Sequence, residues 1–237
     1  KLVFKNGLSD NIVAGDVHVL SGATLSHAEN VSAKTYVLNL KAGGDITIDS
    51  GAVVDVDCCG FKTGGPGSIS GGGSYGGRGW ASVAPPYGSI REPRDLGSNG
   101  KSSTTASTWA GGGAIMLDAI GTITVNGTIR ARGGLAQAGG GGVGGSGGSI
   151  LLKAATLAGA GTIDANQSRF NGAKYSGSGG RIALHQRVAT DWTAFTGTVK
   201  AFGGDFMQQS GAAPGTIFKE HGGQDHGGLV VAADHAG

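Results

Sequence analysis

The sequence predicts an all-β fold, a single-stranded parallel β-helix (β-solenoid) of about six coils with one long inserted loop, right-handed by crossover chirality. Two ladders at one period carry this reading. Gly113-Ala114-Ile115-Met116-Leu117-Asp118, Gly148-Ser149-Ile150-Leu151-Leu152-Lys153, Gly180-Arg181-Ile182-Ala183-Leu184-His185 and the weaker Gly215-Thr216-Ile217-Phe218-Lys219 separate their isoleucines by 35, 32 and 35 residues. Gly127-Thr128-Ile129-Arg130-Ala131, Gly161-Thr162-Ile163-Asp164-Ala165 and Gly197-Thr198-Val199-Lys200-Ala201 repeat at 34 and 36. The third observation is alternation. Ile115/Leu117, Ile150/Leu152 and Ile182/Leu184 share one parity, and Asp118, Lys153 and His185 take the other, as a strand with one wet face requires.

Composition excludes the competing classes. Fifty glycines in 237 residues are about three times ordinary usage. A collagen triple helix needs Gly at every third position and abundant Pro, whereas only 5 prolines are present. A disordered linker lacks β-branched strings such as Asp45-Ile46-Thr47-Ile48. Glycine at this density also interrupts any apolar stripe of helical period, which excludes a helix bundle.

Taken in order, residues 1–237 read as one domain. Residues 1–35 form an N-terminal coil and lead strand, with Val17/Val19 and Gly22-Ala23-Thr24-Leu25 inward. Leu38/Leu40, Ile46/Ile48 and Val54/Val56 make the next coil. Residues 57–112 hold no ladder strand and read as an inserted Gly/aromatic loop, since Leu38 and Ile115 lie 77 residues apart, about two periods. Residues 113–237 carry the regular repeats. Coils beginning near 12, 36, 113, 148, 180 and 215 stack to ~29 Å at the usual strand spacing. Ala131, Ala165 and Ala201 mark a corner that admits only a methyl. Glycine is expected there because corners turn sharply, often at positive φ, and crowd one another. Leu2-Val3-Phe4 and Leu229-Val230-Val231 read as unfinished edge strands at the two ends.

Charge says little about partners. Eighteen Lys and Arg oppose 16 Asp and Glu, for a net charge of +2 with no basic run. A nucleic-acid surface is not expected. No apolar stretch approaches the ~20 residues of a membrane helix. Lys1-Leu2-Val3-Phe4 is too short for a signal core, so the chain reads as a mature or trimmed product.

The only cysteines, Cys58 and Cys59, are neighbours, leaving a vicinal disulfide or two half-buried thiols open. Asn30, Asn126 and Asn166 head Asn-x-Ser/Thr sequons and are candidate glycan sites if the chain is secreted from a eukaryote. Two Gly-x-Ser-x-Gly patterns, around Ser74 and Ser146, lack the following helix that exposes a nucleophilic serine. The Gly139–Gly142 run lacks the Gly-Lys-Ser/Thr of a phosphate cradle, and the calcium nonapeptide is absent. Asp55 and Asp57 share one side of a strand near Asp49. They invite comparison with the paired acids of polysaccharide lyases and glycoside hydrolases, against the plainer reading of a solvated edge. His221, Asp225, His226, Asp234 and His235 are ligand types on a Gly-rich tail, and no metal or cofactor is assigned. Tyr75, Trp80, Tyr87, Arg91, Arg94 and Trp109 in the insert either bind a ligand or partner by ring stacking, or lay the loop on the solenoid flank.

Asp55-Val56-Asp57 running into glycine, Tyr87-Gly88-Ser89, Pro93-Arg94-Asp95-Leu96-Gly97-Ser98, Gly177-Ser178-Gly179-Gly180-Arg181-Ile182-Ala183-Leu184 and Pro214-Gly215-Thr216-Ile217-Phe218-Lys219 together resemble a glycine-rich β-solenoid repeat region of large secreted and cell-surface proteins. That resemblance implies extracellular architecture and transfers no catalytic residue. Cys58-Cys59 departs from the small polar residues expected there. The function expected is an extracellular structural or adhesive module, non-catalytic, self-associating head to tail into filaments. The alternative is a carbohydrate-binding or polysaccharide-cleaving β-helix with 57–112 over its groove. A third reading is a passenger stretch of a larger surface protein.

Overall fold

The computed structural model describes residues 1–101, 110–134, 143–167, 176–204, 211–224 and 226–231. Among them every regular element is a β-strand, and the strands form three sheets. The first holds β1 (Leu2–Phe4), β4 (Thr24–His27), β7 (Val53–Asp55), β10 (Thr128–Arg130), β13 (Thr162–Asp164) and β15 (Thr198–Lys200). The second holds β2 (Asn11–Val13), β5 (Leu38–Ala42), β8 (Ala114–Ala119), β11 (Ser149–Ala154), β14 (Arg181–Gln186), β16 (Thr216–Glu220) and β17 (Gly228–Val230). The third holds β3 (Val17–Val19), β6 (Ile46–Ile48), β9 (Thr122–Val125) and β12 (Thr156–Ala158). The chain therefore visits the three sheets in rotation. Each strand pairs in parallel with its counterpart one repeat on, except that β17 returns antiparallel along β16.

Register follows the sequence ladders. Leu38, Ile115, Ile150, Ile182 and Ile217 lie side by side across the second sheet. Leu25, Val54, Ile129, Ile163 and Val199 do so across the first, and Val17, Ile46, Ile123 and Leu157 across the third. Aliphatic side chains from all three sheets meet in one core, where Ile115, Ile150, Ile129 and Ile123 are fully buried. Beyond β12 the third sheet continues only as a bridge between Gly159 and Phe195, whose ring enters that core.

The outer face of the second sheet departs from the single wet face that the alternation predicts. Met116, Leu151, Ala183 and Phe218, all of outward parity, are buried in a second cluster with Val37, Phe61 and Leu96. Residues 57–112, which contain no strand among those described, supply Phe61 and Leu96 of that cover. Asp118, Lys153 and His185 stay partly exposed at the far ends of the same strands.

The insert is also one of a series. From β7 onward, each passage from the first sheet to the second closes on a hydrogen-bonded neck. Gly113 N donates to Val56 O at 2.9 Å, Gly148 N to Ala131 O at 2.8 Å, Gly180 N to Ala165 O at 2.8 Å, and Gly215 N to Ala201 O at 2.7 Å. The excursions are 57–112, 132–147, 166–179 and 202–214. Where described, they bond backbone to backbone outside any sheet: Gly112 N to Ser146 O, Ser146 N to Ser98 O, Gly147 N to Ser178 O, and Ser178 N to Gly73 O.

This packing, more than turning, accounts for the glycines. None of the four neck glycines has positive φ, which corrects the expectation of left-handed corners there. A Cβ on Gly148 meets Gly113 O at 2.0 Å, one on Gly180 meets Gly148 O at 2.1 Å, and one on Gly215 meets Gly180 O at 1.8 Å. Each carbonyl occupies the space of the next side chain. Ala131, Ala165 and Ala201 are buried beside these necks, and Val56 holds the corresponding place before 57–112.

Gly180→Ala is expected to destabilise by about 1–3 kcal/mol or more, because rigid backbone blocks the methyl. Gly15→Ala, which meets nothing within 4 Å, is expected to stay within about 0.5 kcal/mol. Ile150→Ala, between two rungs of the core, is expected to lose about 2–5 kcal/mol. Urea unfolding at constant m-value reads all three.

Candidate functional site

Tyr75 and Tyr87 of the insert pack against the second sheet. Tyr75 is fully buried; its hydroxyl donates to Ser149 Oγ at 2.6 Å, and Ser149 passes a hydrogen bond to Asp95 O at 2.5 Å. Tyr87 donates to Leu96 O at 2.6 Å and lies 2.8 Å from Ser98 Oγ. The two rings pack with centroids 4.8 Å apart. Arg181, on β14, stacks over Tyr75 at 5.5 Å and donates through Nε to Tyr87 O at 2.9 Å and through Nη1 to Thr216 Oγ1 at 3.1 Å. Burial lowers the pKa of this guanidinium and raises those of both phenols. The cluster clamps insert to sheet, and Tyr75 offers no face to a ligand.

The remaining candidates of the insert do not gather around it. Arg91 is exposed and pairs with Glu220 at 2.6 Å while lying 5.1 Å over the Phe218 ring. Its carbonyl lies 2.7 Å from His185 Nε2, and His185 Nδ1 lies 2.9 Å from Glu220 Oε2. Arg94 pairs with Glu92 at 3.2 Å, and Glu92 also holds Lys153 at 2.6 Å. Trp80 is half-buried, its backbone N–H on Ser176 O at 2.9 Å. Trp109 lies outside the described residues, as do Gly139–Gly142, Asp225, Asp234 and His235.

Asp55 and Asp57 do share a face, but arginines from the next repeat occupy them. Arg130 Nη2 lies 2.7 Å from Asp55 Oδ2. Arg132 donates to Asp57 Oδ2 through Nε at 2.8 Å and Nη2 at 2.7 Å, and its amide meets Oδ1 at 2.7 Å. Arg130 Nε, otherwise without a hydrogen bond, sits 3.2 Å from Asp57 Oδ2. Burial pushes Asp55 up, yet the Arg130 hydrogen bond and its other partners bring it net below the ordinary value. At Asp57 burial wins and the carboxyl sits above it. Two acids with separated affinities are what acid–base chemistry wants, but every oxygen already holds a donor. Asp49, the third acid, pairs with His18 at 2.8 Å. The register extends this into a charge ladder of Asp55, Arg130, Asp164 and Lys200 along the first sheet.

Other motifs resolve into structure. Ser74 and Ser146 are buried: Ser74 Oγ accepts Gly79 N at 3.0 Å, and Ser146 Oγ accepts Ser98 N at 2.9 Å. Cys58 and Cys59 are unbonded in this structure, the first half-buried and the second buried. Cys58 sits at φ +56°, and burial raises the thiols to about 11 and about 12. Such thiols carry little thiolate at neutral pH. Asn30 is corrected as a glycan site. It is buried, its Nδ2 donating to Tyr36 O at 2.9 Å and Cys59 O at 2.8 Å, and its Oδ1 accepting Thr35 N and Tyr36 N at 2.7 Å. Asn126 is exposed; Asn166 is half-buried, with Phe202 N on its Oδ1 at 2.6 Å.

Sequence reasoning passed over His27, which lacks a motif. It is buried on β4, where Nδ1 donates to Ala28 O at 2.7 Å and Nε2 accepts Ala114 N at 3.1 Å. A neutral imidazole thus ties the first repeat to the strand that resumes after the insert.

A concavity of about 500 Å³ opens at the N-terminal edge of the stack, lined by Phe4, Val13, Val17, Val19, Leu25 and Leu40. It is the mouth of the aliphatic core. No group of three metal-binding side chains occurs among the described residues, and no helix there is long and apolar enough to cross a membrane. No family model, curated protein or solved structure matches this chain.

Burial lowers the His27 pKa from 6.5 to about 4. In that window the unfolded chain binds a proton that the folded chain refuses. Stability is therefore full above about pH 6.5 and falls as the pH drops to about 4, by about 3 kcal/mol in total. Unfolding free energies across this range should show the slope in the wild type and its loss in His27→Gln.

Proposed function

We propose that the three sheets wrap as a right-handed parallel β-solenoid of about six coils, and that the protein is a non-catalytic structural or adhesive module that associates end to end in a secreted or cell-surface setting. One observation carries this reading: strands pair in parallel repeat after repeat around a shared aliphatic core, and β1, β2 and β3 have no further partner on their outer side among the described residues. A stack of near-equivalent turns is stable through its neighbours, and an open end is a template for more of the same. The resemblance of the Gly-rich phrases to repeat regions of secreted and cell-surface proteins supports the location.

The chemistry favours architecture over catalysis. Asp55 and Asp57 are held by Arg130 and Arg132, and Tyr75 is sealed under its own loop. A polysaccharide groove needs those groups free.

Sedimentation velocity over a wide concentration range, with electron microscopy of the heaviest fractions, is expected to show elongated species that grow with concentration. A monomer at every concentration would overturn the reading.

A further inference from the structure

The two edges of the second sheet carry complementary apolar strands. At one edge β2 presents Ile12, 76% exposed, and Val13, 37% exposed. At the other β17 presents Leu229, Val230 and Val231, exposed by 50%, 51% and 60%. Parity assigns their faces. Val230 lies opposite Ile217, a core residue, so it points to the core side. Leu229 lies opposite Phe218 and points outward. On β2, Val13 lies opposite Ala42 and lines the mouth with Leu40, whereas Ile12 lies opposite Lys41 and points outward.

We propose, building on the end-to-end reading above, that β17 of one copy adds to the β2 edge of a second copy as an antiparallel strand, with Val230 opposite Val13. This register sets Val231 opposite Ile12 and Leu229 opposite Ala14, so that all three pairs are apolar. Sliding by two residues opposes Val230 to Asn11 and Val231 to Asp10, burying polar groups without partners. Sliding by one turns Val230 outward and leaves the mouth uncovered. The chosen register continues the second sheet from copy to copy and seats Val230 over the Val13 and Leu40 side of the 500 Å³ concavity. Because β17 already runs against β16, antiparallel addition keeps every copy pointing the same way. The two surfaces differ, so the contact is heterologous and extends a filament rather than closing a pair.

The test mixes two single variants, Ile12→Cys and Val231→Cys, under a mild thiol oxidant. Both positions are exposed, so folding is undisturbed. A disulfide is expected between the two variants in the mixture, and neither variant alone should link to itself through the new thiol. Asn11→Cys with Val231→Cys should give no link, because those side chains lie on opposite faces. Ile12→Lys is expected to weaken association about tenfold or more. Concentration-dependent assembly without the Ile12–Val231 link would overturn this contact and leave the end-to-end reading standing. Absence of any assembly would overturn both.

Discussion

Everything in this molecule depends on vertical registry. An aliphatic side chain on one repeat must lie directly over its equivalent on the next, at the ~4.8 Å spacing that parallel backbone hydrogen bonds impose. The ladder from Leu38 through Ile115, Ile150 and Ile182 to Ile217 is one case. A slip of one residue in any rung turns Ile150 and Leu152 outward and Leu151 and Lys153 inward, placing an ammonium in the core. Registry is therefore strongly specified wherever β-branched or leucine side chains alternate, and the outward Asp/Arg/Asp/Lys ladder on the first sheet reinforces the same alignment from the other side.

That dependence explains which parts of the structure the sequence discloses. Period and parity are local properties of the string, so strand starts near 12, 36, 113, 148, 180 and 215 could be read directly. The second-sheet strands begin at Asn11, Leu38, Ala114, Ser149, Arg181 and Thr216. The dry outer face was not legible. Met116, Leu151, Ala183 and Phe218 are covered by a segment whose own residues have no period, and only tertiary placement reveals the cover. The glycines misled in a similar way. Abundance signals crowding or turning, and sequence does not say which; at Gly148, Gly180 and Gly215 a neighbouring carbonyl decides for crowding.

The candidate site was legible in its members but not in their state. Asp55 and Asp57 were visible as a same-face pair, yet Arg130 and Arg132 stand a repeat away, and the period that brings them alongside was the missing link. Tyr75 and Tyr87 were visible as unusual aromatics in a Gly-rich loop, but their burial under Arg181 depends on contacts across about a hundred residues. His27 had no signal at all, since a lone histidine on a strand announces neither an acceptor role nor a neutral form.

The necks separate two problems that most folds must solve together. Gly113, Gly148, Gly180 and Gly215 close each excursion onto the residue that opened it, so the stack meets the same short hydrogen bond whatever lies beyond. Loop-closure entropy rises only with the logarithm of length. Segment 57–112 therefore costs only about 1 kcal/mol more closure entropy than segment 202–214 despite its greater length. The necks thus accommodate added length without permitting wholesale exchange: 57–112 also carries Phe61 and Leu96 over Met116, Leu151 and Phe218, so a grafted peptide must leave that cover in place.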